Sequence, residues 1–290
     1  MNKKLLLIDG NSLFFKSFYA TYIRLKEGGE RGNEGEPVNA LRGFSHMIIN
    51  LRQMFNDHNI VIAFDERGGH THRHQYDFYK ANRSKAPDEL YEQIPMVREF
   101  LDLYGIKYVS EKTLEADDLI GILSKRHSIE YDTTIITTDK DLLQLVDQNV
   151  RVLLSKKGVS EMDEFNMFNF KEKFFGLRPN QVQELKGIMG DASDNLKGIP
   201  GIGEKGAIKL IDQYNTVERV IDHATDQTPA LSKKIIEGSE SAILCRDLAT
   251  IVTEHDWEFE ISQSEPKDYD KEKLVEFLEN KKLFNVVKKV

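Results

Sequence analysis

The sequence predicts an α/β chain, with a mostly parallel central sheet covered by helices on both faces and a helical half behind it. Two observations carry this. Over the first 155 residues, short runs rich in β-branched residues alternate with helix-like stretches. From about residue 165 onward the strand-like runs stop, and helical patterns interrupted by Gly- and Pro-containing turns take over.

In chain order, the strand-like runs are LLLID (5–9), IVIAFD (60–65), IKYVS (106–110), TTIITTD (133–139) and VRVLL (150–154). Helical stretches fill 38–55, 87–103 and 115–127 between them. Two segments break the alternation. KEGGERGNEGEP (26–37) has four glycines and reads as a mobile loop. ERGGHTHRHQYDFYKANRSKAP (66–87) is basic and aromatic, with turn residues at both ends.

At 290 residues and 40% apolar, the chain can build one large domain or two smaller ones. No apolar run approaches membrane-spanning length, and the opening KKLLLIDG loses its apolar character at Asp9, too soon for a signal peptide. A single cysteine, Cys245, excludes an internal disulfide and points to a reducing, cytoplasmic setting. The net charge of −8 argues against a nucleic-acid partner only if every acid is free.

The acids are not scattered. In the helix at 115–127, Leu119, Ile122 and Leu123 form an apolar stripe that Glu115 and Asp118 continue, with Asp117 beside them. Helix capping accounts for one or two of these three, not all. Asp9, Asp65 and Asp139 each end a strand-like run, and parallel strands place their C-termini on one edge, where ligands bind. Asp141 follows closely. Seven carboxylates on one edge repel unless cations bind, and hard oxygen donors suit Mg²⁺ or Mn²⁺.

A second acidic pair, Asp191 and Asp194, precedes the turn GIPGIG (198–203), which opens a helix beginning near Lys205. Exposed N–H groups at such a helix start can hold a phosphate. His70, His72 and His74 invite a zinc reading, but their alternation matches no zinc-ligand spacing and no cysteine is near.

The stretches LLLIDGNSLFF, IAFDERGG, YKANR, LEADDLIG, ITTDKDLLQLV and IMGDASDNLKGIPGIGEKGA together resemble the 5′-nuclease superfamily, in family order from residue 5 to about 210. That superfamily includes flap endonucleases, phage 5′-exonucleases and the N-terminal nuclease region of bacterial DNA polymerase I. This chain looks closest to the last, as a free-standing protein. The resemblance implies a PIN-like core over 1–165 with a helical arch at about 66–100. It also implies a helical DNA-binding region over 166–290, carrying a helix-three-turn-helix at about 181–215.

It further implies two metal positions. Asp9, Asp65, Glu115, Asp117 and Asp118 would surround the first; Asp141, Asp191 and Asp194 the second; Asp139 lies near both. All nine are acidic here, and neutralising them takes the net charge from −8 to about +1. K⁺ is a further expectation at the Gly-rich turn. Lys80 and Arg83, three apart, would share a helical face aimed at the scissile phosphate, with Lys186 near the second metal. Tyr79 would stack on a terminal base. Gly201, Gly203 and Lys205 would hold duplex phosphate.

The implied activity is two-metal hydrolysis of DNA phosphodiesters at 5′ ends and 5′ flaps, by a monomer serving replication or repair. Substrates would be 5′ flaps, nicked or branched duplex and 5′ single strands, with no membrane partner. Two alternatives stay open: a PIN-type ribonuclease, and a non-catalytic DNA-junction binding protein.

Overall fold

The computed structural model describes residues 2–290. Five strands run parallel: β1 (Lys3–Asp9), β2 (Asn59–Ala63), β3 (Lys107–Val109), β4 (Tyr131–Thr137) and β5 (Val150–Lys157). β6 (Glu161–Phe165) adds an antiparallel edge, and the order across the sheet is β3-β2-β1-β4-β5-β6. The first-half helices are α1 (Gly10–Lys26), α2 (Asn39–Met54), α3 (Asp88–Tyr91), α4 (Ile94–Leu103) and α5 (Ala116–Arg126). The second half holds α6 (Phe170–Lys173), α7 (Val182–Met189), α8 (Glu204–Tyr214), α9 (Val217–Asp222), α10 (Pro229–Ala249), α11 (Lys271–Asn280) and α12 (Phe284–Val287).

Strand parity builds two cores. Leu6, Ile8, Ile60, Ile62 and Ile136 face α1, α2, α4 and α11. Leu5, Leu7, Val61, Ile135 and Val152 face α5 and the helical half, reaching Leu185, Ile199 and Ile211. The helices from α7 to α10 are therefore a continuation of one face of the sheet rather than a separate body, while α11 and α12 join the core on the other face.

Four features differ from the sequence expectation. β6 was not expected, because EMDEF has low strand propensity; its charges suit an edge that should recruit no further strand. The stretch 87–103 divides into α3 and α4 at Gln93. That buried amide leaves helix-surface duty to cap α2, accepting from Ala40 and Leu41 N–H at 2.8 and 3.1 Å.

The glycine-rich loop after α1 is tied down rather than free. Glu30 meets Arg42 at 2.6 Å and Glu36 meets Lys281 at 2.9 Å. Finally, the chain beyond α10 returns to the α/β half. Leu274, Phe277 and Leu278 give α11 an apolar stripe that packs with Phe100, Leu101 and Tyr104. Among the described residues, no helix is long and apolar enough to cross a membrane.

Candidate active site

Strand order reverses between β1 and β4, which opens a crevice at the carboxyl edge of the sheet. Asp9 ends β1 and caps α1, accepting Ser12 N–H at 2.9 Å; the Thr137 hydroxyl donates to its other oxygen at 2.7 Å. Asp65 lies two residues beyond β2 and accepts Ala116 N–H at 2.8 Å, which fastens it to the first turn of α5; the Asn11 amide donates to its second oxygen. Asp139 accepts Asp141 N–H at 2.9 Å. The resulting cleft is lined by Asp9, Asp65, Glu115, Asp117, Asp139, Asp141 and Asp194.

Crowding shows in the proton affinities. Burial pushes Asp9 up to about 6 and Asp141 up to about 7, with Asp139 adding repulsion in both cases. Asp117 is raised well above the carboxylate range by burial and by Asp9, Asp139, Asp65 and Asp141. Hard oxygen donors whose anionic forms are under-compensated are the donor set that Mg²⁺ or Mn²⁺ takes. The residues present fit such ions.

A second cluster adjoins the first. Asp141, Asp191 and Asp194 each offer an oxygen within 4.8 Å of the others. Asp191 and Asp194 sit on a closed loop whose ends are Gly190 and Gly198, at φ +78° and +58°. A Cβ on Gly198 would lie 2.3 Å from Gly190 N, so the two backbones meet only as glycines. Lys186, on α7, bridges Asp141 and Asp191. Despite burial, that ammonium and the Ser193 hydroxyl and N–H hold Asp191 down to about 2.

Two cations approach from the segment after β2. Lys80 Nζ lies 3.0 Å from both oxygens of Glu115, and Arg83 meets Asp194 at 2.6 Å. They do not share a helical face. Residues 76–83 form successive tight turns, and Lys80 has φ +55° because its N–H is drawn to Asp194 O at 3.0 Å. Tyr79 is not free to stack: it is 7% exposed, and its hydroxyl donates toward Glu115 and Asp194 at 3.2 and 3.4 Å. Phe15, 37% exposed, is the aromatic ring that lines the cleft openly.

Asp118 departs most from expectation. It is fully buried in a bidentate pair with Arg73, at 2.6 and 2.9 Å, and also accepts N–H from Glu115 and Val252. All of its acceptor directions are thereby taken, so it belongs to the framework and not to the cleft. Arg73 further donates to Leu248 O at 3.0 Å and Thr250 O at 2.7 Å. Arg73, Asn11 and Thr137 escaped the sequence reading. Asn11 lies inside LLLIDGNSLFF and Thr137 inside ITTDKDLLQLV, whereas nothing in the sequence distinguishes Arg73 from its basic neighbours.

At the Gly-rich turn, the positive φ belongs to Gly198 and Gly201 (+79°), not to Gly203, whose φ is −88° with open space around its missing Cβ. Gly203 is the N-cap of α8 and Lys205 is exposed in its first turn. His74 accepts Thr71 N–H at 3.1 Å, and the three histidines form no metal-ligand group with other residues among those described.

Known proteins resemble this chain along most of its length. Family models match along most of the chain: "5′-3′ exonuclease, N-terminal resolvase-like domain" over residues 4–175 and "5′-3′ exonuclease, C-terminal SAM fold" over 177–272. A 5′-3′ exonuclease of Mycoplasma pneumoniae is 38% identical, with 96% of this chain and 95% of that protein covered. DNA polymerase I of Bacillus subtilis is 35% identical over 94% of this chain, which spans only 30% of the polymerase. The zinc-bound T5 5′-exonuclease structure superposes with a TM-score of 0.68 over 98% of this chain and 97% of that one; at 20% identity, this speaks for the fold alone. With both halves matched and the acidic crevice in place between them, the chain belongs to the 5′-3′ exonuclease family.

Proposed function

We propose that this chain is a structure-specific 5′-nuclease that hydrolyses DNA phosphodiester bonds at 5′ ends and 5′ flaps, using two Mg²⁺ or Mn²⁺ ions. The observation carrying this is the seven-carboxylate cleft with Lys80 and Arg83 at its wall. Asp9, Asp65, Glu115, Asp117 and Asp139 would hold one ion; Asp139, Asp141, Asp191 and Asp194 the other. Bound there, such ions supply a nucleophilic water and offset charge on the leaving oxygen.

The chain's own groups do the rest. Lys80 and Arg83 put positive charge beside a phosphate entering the cleft, where it stabilises the charge that develops in the transition state. Lys186 holds Asp141 and Asp191 together, which sets the spacing of the second cluster. The N-terminus of α8, with Gly201, Gly203 and Lys205, meets duplex backbone without reading bases. Relatives agree in kind: the Mycoplasma pneumoniae protein is named a 5′-3′ exonuclease, and a T5 D15 flap endonuclease is described in complex with DNA and metal ions.

We assign residues 1–165, together with Lys186, Asp191 and Asp194, to catalysis and the rest of the helical region 166–290 to DNA holding. Buried, unpaired Cys245 fits a cytoplasmic protein, here taken as a monomer acting in replication or repair.

Asp139→Ala is the test. Cleavage of a 5′-flap duplex with Mg²⁺ should vanish while binding stays within about tenfold, because backbone contacts elsewhere supply much of the affinity. Full activity in the variant, or cleavage by the wild type that survives EDTA, rejects the proposal. Cleavage of structured RNA in place of flap DNA would favour the ribonuclease alternative.

A further inference from the structure

One face of α10 braces the turn that opens α8. Lys234, Gly238, Ser241 and Cys245 recur at helical spacing, so they stand in a row along that face. Each meets the turn. Lys234 Nζ donates to Gly201 O at 3.1 Å, and the Ser241 hydroxyl donates to Gly198 O at 2.8 Å. Gly198 N–H donates to Cys245 Sγ at 3.3 Å. At Gly238 the helix comes so close that a Cβ there would lie 2.9 Å from Ile199 Cγ2.

The K⁺ expected at this turn does not fit it. A K⁺ here would have to share carbonyl oxygens that already accept hydrogen bonds. Here Gly198 O and Gly201 O accept from α10, and Ile199 O accepts Ile202 N–H at 3.1 Å. A metal cation at Gly201 O would also stand against the ammonium of Lys234, like charge on like charge. Gly201 is glycine for its φ of +79°, and a Cβ there would lie 2.9 Å from Lys234 Nζ, so the ammonium sits directly against this turn.

We propose that Lys234 is itself the cation of this turn. Its ammonium, held by Gly201 O, binds a phosphate of duplex DNA beside the α8 N-terminus and Lys205, so duplex binding requires no monovalent metal ion. Lys234 is exposed, and an ammonium with one hydrogen spent on Gly201 O keeps two for phosphate oxygens. The positive end of the α8 dipole adds to the attraction. This inference rests on the DNA-binding reading given above.

The experiment measures binding of a 5′-flap duplex in EDTA, with KCl replaced by tetramethylammonium chloride at constant ionic strength. Wild-type affinity should change by less than about twofold. Lys234→Met, which keeps most of the length of the side chain, should bind about tenfold more weakly and lower the salt slope by about one; Lys234→Arg should restore both. K⁺ tightening the wild type by several-fold overturns the proposal, and so does a Lys234→Met variant that binds like the wild type. Mg²⁺-dependent cleavage of the same flap by the wild type is scored separately. A wild type that cleaves but needs K⁺ to bind sinks this inference and leaves the nuclease reading standing. A wild type that neither binds nor cleaves sinks both.

Discussion

Asp117 and Asp118 are neighbours in sequence and opposites in electrostatics. Arg73 and two N–H donors hold Asp118 below the usual carboxylate range, while four other acids and burial push Asp117 far above it. Removing Arg73 would strand a buried charge, so Arg73→Ala should cost about 3–5 kcal/mol of unfolding free energy, read from denaturant curves. Asp118 has a depressed folded pKa. Its contribution is therefore present above the unfolded value of roughly 3.9 and is lost as pH falls through the lower folded one. Asp118→Asn should lower stability yet leave Mg²⁺ affinity within about threefold, whereas Asp117→Asn should weaken Mg²⁺ more than tenfold. Equal Mg²⁺ losses would return Asp118 to the metal site.

The raised acids run the other way. Asp9 (about 6) and Asp141 (about 7) must lose protons before a cation can bind. Without metal, the folded chain holds those protons more tightly than the unfolded chain, so falling pH from about 7 toward 4 favours the folded state at these sites. The rise in melting temperature on adding Mg²⁺ should thus be large at pH 8 and nearly absent at pH 5.5. A shift independent of pH would mean that these acids are not ligands. Helical periodicity made Asp118 visible on the apolar stripe. It could not show Arg73, 45 residues away, which is what makes the burial tolerable.

Among elements, those with strong local patterns were legible. The parallel strands fall where runs of β-branched residues lie, and α2 and α5 match their predicted spans to within a residue or so. The segment at 76–83 did not behave this way, because tertiary hydrogen bonds overrode the three-residue spacing. Asn82 donates to Ala192 O at 2.7 Å and Asn195 to Phe78 O at 2.8 Å, which stitches the segment to the Asp191–Asp194 loop. α8 yields the sharpest test at this scale. Since Gly203 has ordinary φ and open space around it, Gly203→Val should fold normally. Its side chain would block the approach of phosphate to the helix start, so duplex-containing flaps should bind at least tenfold more weakly and with a shallower salt dependence. Hydrolysis of short single strands at high enzyme concentration should persist. Asp194→Ala should do the reverse, keeping duplex binding and losing rate. Proportional loss of both functions in the two folded variants would refute this division of labour.

For the molecule as a whole, the division into an α/β half and a helical half was readable from where strand-like runs cease. The return of residues 251–290 was not. An amphipathic helix such as α11 advertises that it will bury a face without saying against what. Here the partner is the α2 and α4 side of the sheet. Arg52 donates to Lys267 O at 2.9 Å, Lys267 N–H to Gly105 O at 3.0 Å, and Lys281 closes on Glu36. The helical region is thus anchored to the α/β half at both of its ends. A chain ending at residue 250 should expose Phe100, Leu101 and Tyr104, and size-exclusion chromatography should find it aggregated or expanded. A monomeric, cooperatively melting 1–250 would show that the last helices are dispensable.

That return also sets a clock on biosynthesis. The strands of the sheet are all made by residue 165, but one flank of their core waits for α11, more than a hundred residues later. At roughly 5–20 residues per second, the ribosome leaves that groove uncovered for on the order of ten seconds. A nascent chain in this interval is the form that a chaperone would meet, and a pause in translation between α10 and α11 would lengthen its exposure.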